Sequence, residues 1–215
     1  MSYQKYHFYL HKKEEARVWI LHFHGNAGAA CHRAFYIKEL SDVEANIILA
    51  EYPGYSNDPK KSTERSILNN ARALFHYLQS INTNNLPIIL YGESLGCGVA
   101  INLALREKVA GLILQTPYTS ISDIARVHYP FLPIRWLIKN NFPANTWAKE
   151  VYTKVLILHG VKDDIIPIKI GRRLVTNFPH PPQFEEFSEF GHNDLNLGNP
   201  KYWQVVKDFI SQITD

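Results

Sequence analysis

The chain has 215 residues, a formal net charge of +3, 46% hydrophobic residues and 20% charged residues. That balance suits one folded domain with a substantial core and excludes a disordered chain. The cations are scattered rather than clustered, so no nucleic-acid partner is expected, and no apolar run approaches the roughly 18 residues that an integral membrane segment needs.

The two cysteines, Cys31 and Cys97, do not form a disulfide framework, and Cys97 reads as a free core thiol. Residues 1–10 lack the basic start and apolar core of a secretory signal, so a soluble cytoplasmic protein is expected. Residues 6–10 read as an edge strand and residues 17–23 (RVWILHF) as a buried strand ending at His24-Gly25-Asn26-Ala27-Gly28. A helix over 34–40 precedes a short strand at 46–50 (NIILA), which runs into the turn-rich loop Glu51-Tyr52-Pro53-Gly54-Tyr55-Ser56. Residues 63–79 read as a helix with Thr63 as N-cap. The apolar run 86–91 is the next strand, 98–106 the next helix and 110–115 (AGLILQ) a further strand. Residues 116–150 are rich in proline and aromatics, and Pro130, Pro133 and Pro143 preclude a long helix there. A strand at 154–158, a helix at 168–177, a strand at 183–187 and a closing amphipathic helix at 201–213 complete the chain. Strands alternating with helices predict an α/β fold, a mostly parallel sheet covered on both faces, in a single domain spanning 1–215.

The most informative segment is Gly92-Glu93-Ser94-Leu95-Gly96, which fits G-x-S-x-G between a predicted strand and a predicted helix. A serine in that tight turn presents its hydroxyl above the sheet edge, where a base can reach it. A serine hydroxyl is a weak nucleophile at neutral pH and needs such a base. Of ten histidines, His192 in Glu189-Phe190-Gly191-His192-Asn193-Asp194 has the right setting, a polar loop beyond the last strand. His22 reads as packing inside a strand, and His24 and His159 as loop buttresses. The group that orients the base comes from His159-Gly160-Val161-Lys162-Asp163-Asp164, where Asp163 is preferred on spacing and Asp164 is the rival. Asp194 reads as support for the loop of His192. The oxyanion donors are expected to be the backbone N–H groups of Leu95 and Asn26. No histidine spacing suits a metal, and no cofactor is expected.

With these residues assembled, the chain resembles the α/β-hydrolase superfamily of serine hydrolases from residue 17 to its C-terminus. It is most similar to the branch marked by HGNAG (here 24–28), a His-Arg pair (His32-Arg33), a tyrosine-glycine loop (Tyr52-Pro53-Gly54-Tyr55), Thr119-Ser120, HG-x-x-D and G-H-N-D. That branch includes depalmitoylase-like and lipid-hydrolysing members. The resemblance implies a triad of Ser94, Asp163 and His192. Three departures stand out. Proline occupies position 53, where arginine is usual, and the segment ahead of residue 17 is short, so the first strands of an eight-stranded sheet are expected to be reduced. The membrane anchor or cysteine-rich tail of eukaryotic members is not seen, which argues against membrane-lipid or palmitoyl-protein substrates.

At roughly 35 residues, segment 116–150 is long for a plain connection and predicts a small cap. Its aromatics predict an apolar acyl pocket, with Tyr118 and Trp136, together with Tyr52, as substrate-binding residues. The expected function is therefore cleavage of a small-molecule carboxylic ester or thioester with a short-to-medium acyl chain, through an acyl-enzyme. A non-catalytic binding module and a peptidase on the same fold are the competing readings.

Overall fold

The computed structural model of the protein describes residues 7–214. The sheet is built from β1 (Phe8–His11), β2 (Val18–Phe23), β3 (Ala45–Ala50), β4 (Ile88–Glu93), β5 (Gly111–Gln115), β6 (Lys154–Gly160) and β7 (Gln183–Phe187). Its spatial order is β1-β3-β2-β4-β5-β6-β7. Every neighbouring pair is parallel except β1 with β3, so the one antiparallel strand lies at the edge. Among the described residues, the short first segment contributes one four-residue strand to the sheet. Tyr6, the first residue of the predicted edge strand, lies outside the described residues.

The helices are α1 (Phe35–Glu39), α2 (Glu64–Ile81), α3 (Leu95–Ala104), α4 (Ile121–His128), α5 (Ile134–Leu137), α6 (Ala144–Trp147), α7 (Ile168–Val175) and α8 (Pro200–Thr214). Side chains alternate across each strand, so β2 sends Trp19, Leu21 and Phe23 to one face and Val18 and Ile20 to the other. The first face is covered by α2, α3 and α7 through Ile67, Leu74, Val99, Leu103, Ile170 and Leu174. The second is covered by α1 and α8 through Tyr36, Tyr202, Trp203, Val206 and Phe209. Both faces being covered explains why the central strands read as continuous apolar runs.

Thr63 caps α2 as expected, its hydroxyl accepting from the Ser66 N–H at 3.1 Å. Helix α3 begins earlier than its sequence suggests, at Leu95 instead of residue 98. Glycines at 96 and 98 hide its start, and the structure shows what they are for. A Cβ on Gly96 would overlap the Phe23 carbonyl oxygen, and one on Gly98 would overlap the Tyr118 hydroxyl. The helix lies too close to the sheet and to Tyr118 for any larger residue. Segment 116–150 carries α4, α5 and α6, none longer than eight residues, with Pro133 and Pro143 standing immediately before α5 and α6. No helix among the described residues is long and apolar enough to cross a membrane.

Candidate active site

Four loops meet at the carboxyl ends of the parallel strands, the edge where open α/β sheets bind ligands. The turn from β4 into α3 holds Ser94 at φ 50° and ψ −113°, in the left-handed half of backbone space that L-residues avoid. Ser94 N–H donates to the Gln115 carbonyl at 2.9 Å, which ties the turn to β5. A Cβ on Gly92 would come within 2.6 Å of the Cys97 Cα. The strain at one residue is therefore held by close packing on both sides of the turn.

His192, in the loop after β7, brings Nε2 to 3.0 Å from Ser94 Oγ. Its Nδ1 lies 2.8 Å from Asp163 Oδ2 in the loop after β6. Asp163 is buried, and its other oxygen accepts from the N–H groups of Ile165 at 3.0 Å and Ile166 at 2.7 Å. Burial alone would raise its pKa. Hydrogen bonds from His159, His192 and the Ile166 N–H outweigh burial and hold the carboxyl at about 2. A carboxylate fixed in this way holds the neighbouring Nδ1 in its protonated tautomer, leaving Nε2 free to accept from Ser94. Asp164 is exposed, so of the two sequence candidates it is Asp163 that the fold turns toward His192. Asp194 supports the histidine loop as expected, accepting from Gly191 N–H at 2.7 Å. The same loop is anchored by Asn196, whose amide donates to Tyr36 Oη at 2.7 Å.

The loop after β2 lies against the turn. A Cβ on Gly25 would sit 3.4 Å from Ser94 Cβ. Asn26 and Leu95 line the same cleft as Ser94. Leu95, as the first residue of α3, has no acceptor for its N–H within the helix, and the Asn26 N–H has none among the described residues. His24, fully buried, braces this loop, with Nδ1 2.7 Å from the Gly25 carbonyl oxygen and Nε2 2.9 Å from Glu51 Oε1.

Glu51 also accepts from the Ala30 N–H at 3.0 Å and from the Ser56 hydroxyl. Burial opposes its ionisation, but the His24, Ser56 and Ala30 donors prevail and lower its pKa to about 2. A second brace joins Arg33 to Glu93, the residue before Ser94, through Nε–Oε2 at 2.8 Å and a bond from the second guanidinium nitrogen to Oε1. Sequence reasoning missed Glu51 and Glu93. Their partners stand 27 and 60 positions away, and no local pattern announces such pairs. His22 matches its expected packing role, and burial pushes its pKa well down, so it stays neutral.

A cleft of about 450 Å³ opens beside Ser94, lined by Tyr55, Ile67, Tyr118, Ile121, Ile124, Phe142 and Ile165 among others. Tyr118 is among the expected substrate-binding residues and does line it, with its hydroxyl donating to the Leu95 carbonyl at 3.2 Å. Two expectations need correction. Tyr52 is 2% exposed and does not line the cleft, because its hydroxyl turns inward to the His24 carbonyl at 2.8 Å. Tyr55 lines the cleft in that region instead, donating to Asn26 Oδ1 at 2.9 Å. Trp136 is 87% exposed and is absent from the lining, because the single-turn α5 commits Ile134 to the interior.

An uncharacterised protein of Mycobacterium tuberculosis is 34% identical over 83% of this chain and 64% of its own length. The α/β-hydrolase domain-containing protein 17C of Xenopus tropicalis is 31% identical over 91% of this chain and 62% of its own. The chain thus spans a little under two thirds of these relatives. No family model matches it. Among solved structures, Est1E of Butyrivibrio proteoclasticus with ferulic acid bound superposes with a TM-score of 0.79 at 17% identity, over 97% of this chain and 95% of that one. The chain thus has the α/β-hydrolase fold and is similar in sequence to α/β-hydrolase domain-containing proteins.

Proposed function

We propose that the protein is a serine hydrolase that cleaves carboxylic esters or thioesters with short-to-medium acyl chains. The observation that carries the reading is the unbroken row Ser94 Oγ, His192 Nε2, His192 Nδ1 and Asp163 Oδ2, with links of 3.0 and 2.8 Å. In this reading Ser94 Oγ attacks the carbonyl carbon while His192 Nε2 takes the hydroxyl proton. The negative oxygen of the tetrahedral intermediate receives hydrogen bonds from the Leu95 and Asn26 N–H groups. His192 then gives its proton to the departing alcohol or thiol, leaving an acyl-Ser94. Water, deprotonated by the same histidine, releases the acid and restores the serine.

The cleft supports an acyl chain over a peptide. Its wall is largely isoleucine and aromatic, and its volume lies in the range of small-ligand sites. The test is a panel of p-nitrophenyl esters and matched acyl thioesters of increasing chain length, run on wild type and Ser94→Ala. The expected result is turnover with an optimum at short-to-medium length, lost in the variant. No cleavage at any length by well-folded wild type would overturn the reading and put the binding-module alternative first.

A further inference from the structure

A second cavity, of about 540 Å³, lies next to the cleft and shares Thr63, Glu64 and Asn140 with it. Its lining includes four cations brought together from three segments. Arg65 and Arg72 are seven apart on α2, Arg106 follows α3, and Lys139 follows α5. Asn102, on α3, also lines it, four residues before Arg106. Asn102 is only 6% exposed, yet its side-chain amide has no hydrogen bond among the described residues. Buried amides are ordinarily paired, so an amide left open toward a cavity is a group awaiting a ligand or water.

The carboxylates nearby are already committed. Glu64 Oε2 accepts from the Asn141 and Phe142 N–H groups at 2.8 and 2.9 Å. Glu107 is taken by Arg72 and His76. Arg65, Arg106 and Lys139 form no ion pair among the described residues.

We propose that this cavity is an anion subsite that takes the phosphate or carboxylate end of the ester cleaved at Ser94. The proposal rests on the hydrolase reading. An ester whose acyl carbonyl sits at Ser94 would pass over the shared wall of Thr63 and Asn140 into the basic cavity. Asn102 would then donate to an anionic oxygen, flanked by Arg65 and Arg106.

Two measurements test it. The first compares kcat/KM for a neutral ester and for the same ester carrying a terminal phosphate. Wild type should prefer the phosphorylated ester, and Arg65→Ala and Arg106→Ala should each lower that preference about tenfold, the scale of one charge-assisted hydrogen bond. Asn102→Asp, which sets a carboxylate among the cations, should lower it further. Lys38→Ala, an exposed cation lining neither cavity, should leave the preference unchanged. An equal preference in wild type, or one untouched by all three substitutions, would overturn the proposal.

The second titrates inorganic phosphate into Ser94→Ala by 1H–15N NMR, which is independent of turnover. Shifts at Asn102 and Arg106, lost in Arg65→Ala/Arg106→Ala on that background, are expected. Phosphate binding there without any ester preference would overturn the substrate assignment and mark a free-anion site. Absence of any ester turnover by folded wild type would strike the hydrolase reading and, with it, the substrate assignment, whereas the phosphate titration tests the anion site by itself.

Discussion

Each side chain around Ser94 is held by a second one, and the consequences differ residue by residue. Asp163 offers Oδ2 to the His192 ring and Oδ1 to two backbone N–H groups. Asp163→Asn keeps the shape but presents an amide N–H or a weaker acceptor where a carboxylate fixes the ring tautomer. The expected fall in kcat is about 10⁴-fold. Asp164→Asn, on an exposed side chain, should change kcat by less than about twofold. Parallel steady-state kinetics on the two variants decide between the aspartates, and a larger effect at Asp164 would contradict the assignment. Gly96 allows no such latitude. An alanine there drives Cβ into the Phe23 carbonyl, on backbone that cannot yield without shifting β2 or α3. Gly96→Ala should therefore cost about 3 kcal/mol, read as a lower urea midpoint, and a midpoint equal to wild type would contradict the packing described.

At the scale of elements, the strands were legible because both faces of the sheet are covered. Runs such as NIILA and KVLIL have no polar face to interrupt them. The cap of α2 was legible because Thr63 is followed by an amphipathic helix, and its contribution is measurable. Thr63→Ala should lower stability by about 1 kcal/mol in urea unfolding, since the Ser66 N–H loses its acceptor. The start of α3 was hidden, because a propensity reading penalises Gly96 and Gly98, whereas tertiary contact demands them. Segment 116–150 was legible as a cap-sized insertion between strands but not in its detail. Four-residue helices carry too little periodicity to say which side turns inward, so Trp136 was assigned to the pocket while Ile134 is the buried residue. The chemistry-bearing motifs were visible because each is local. The braces Glu51–His24 and Arg33–Glu93 were not, because they join segments that only the fold brings together.

The molecule as a whole rests two apolar layers on one sheet and places two buried carboxylates at the edge that carries Ser94. Asp163 and Glu51 both have pKa values lowered to about 2 in the folded state, against about 4 in an unfolded chain. The unfolded form therefore binds protons first as the pH falls. The stability these groups contribute is fully present above about pH 4.5 and is lost as pH drops toward 2. The effect is on the order of 2 kcal/mol for each. Thermal unfolding followed from pH 6 to pH 3 should show a falling midpoint. Glu51→Gln should flatten that fall, and an unchanged slope in the variant would contradict the brace.

The most direct test of the central claim is covalent labelling with a fluorophosphonate probe, followed by peptide mapping. A serine activated by His192 should take the probe at Ser94 and nowhere else, with labelling lost in Ser94→Ala and slowed by orders of magnitude in His192→Ala. A folded wild type that takes no probe, or takes it equally without His192, would show that the row Ser94–His192–Asp163 does not activate a nucleophile.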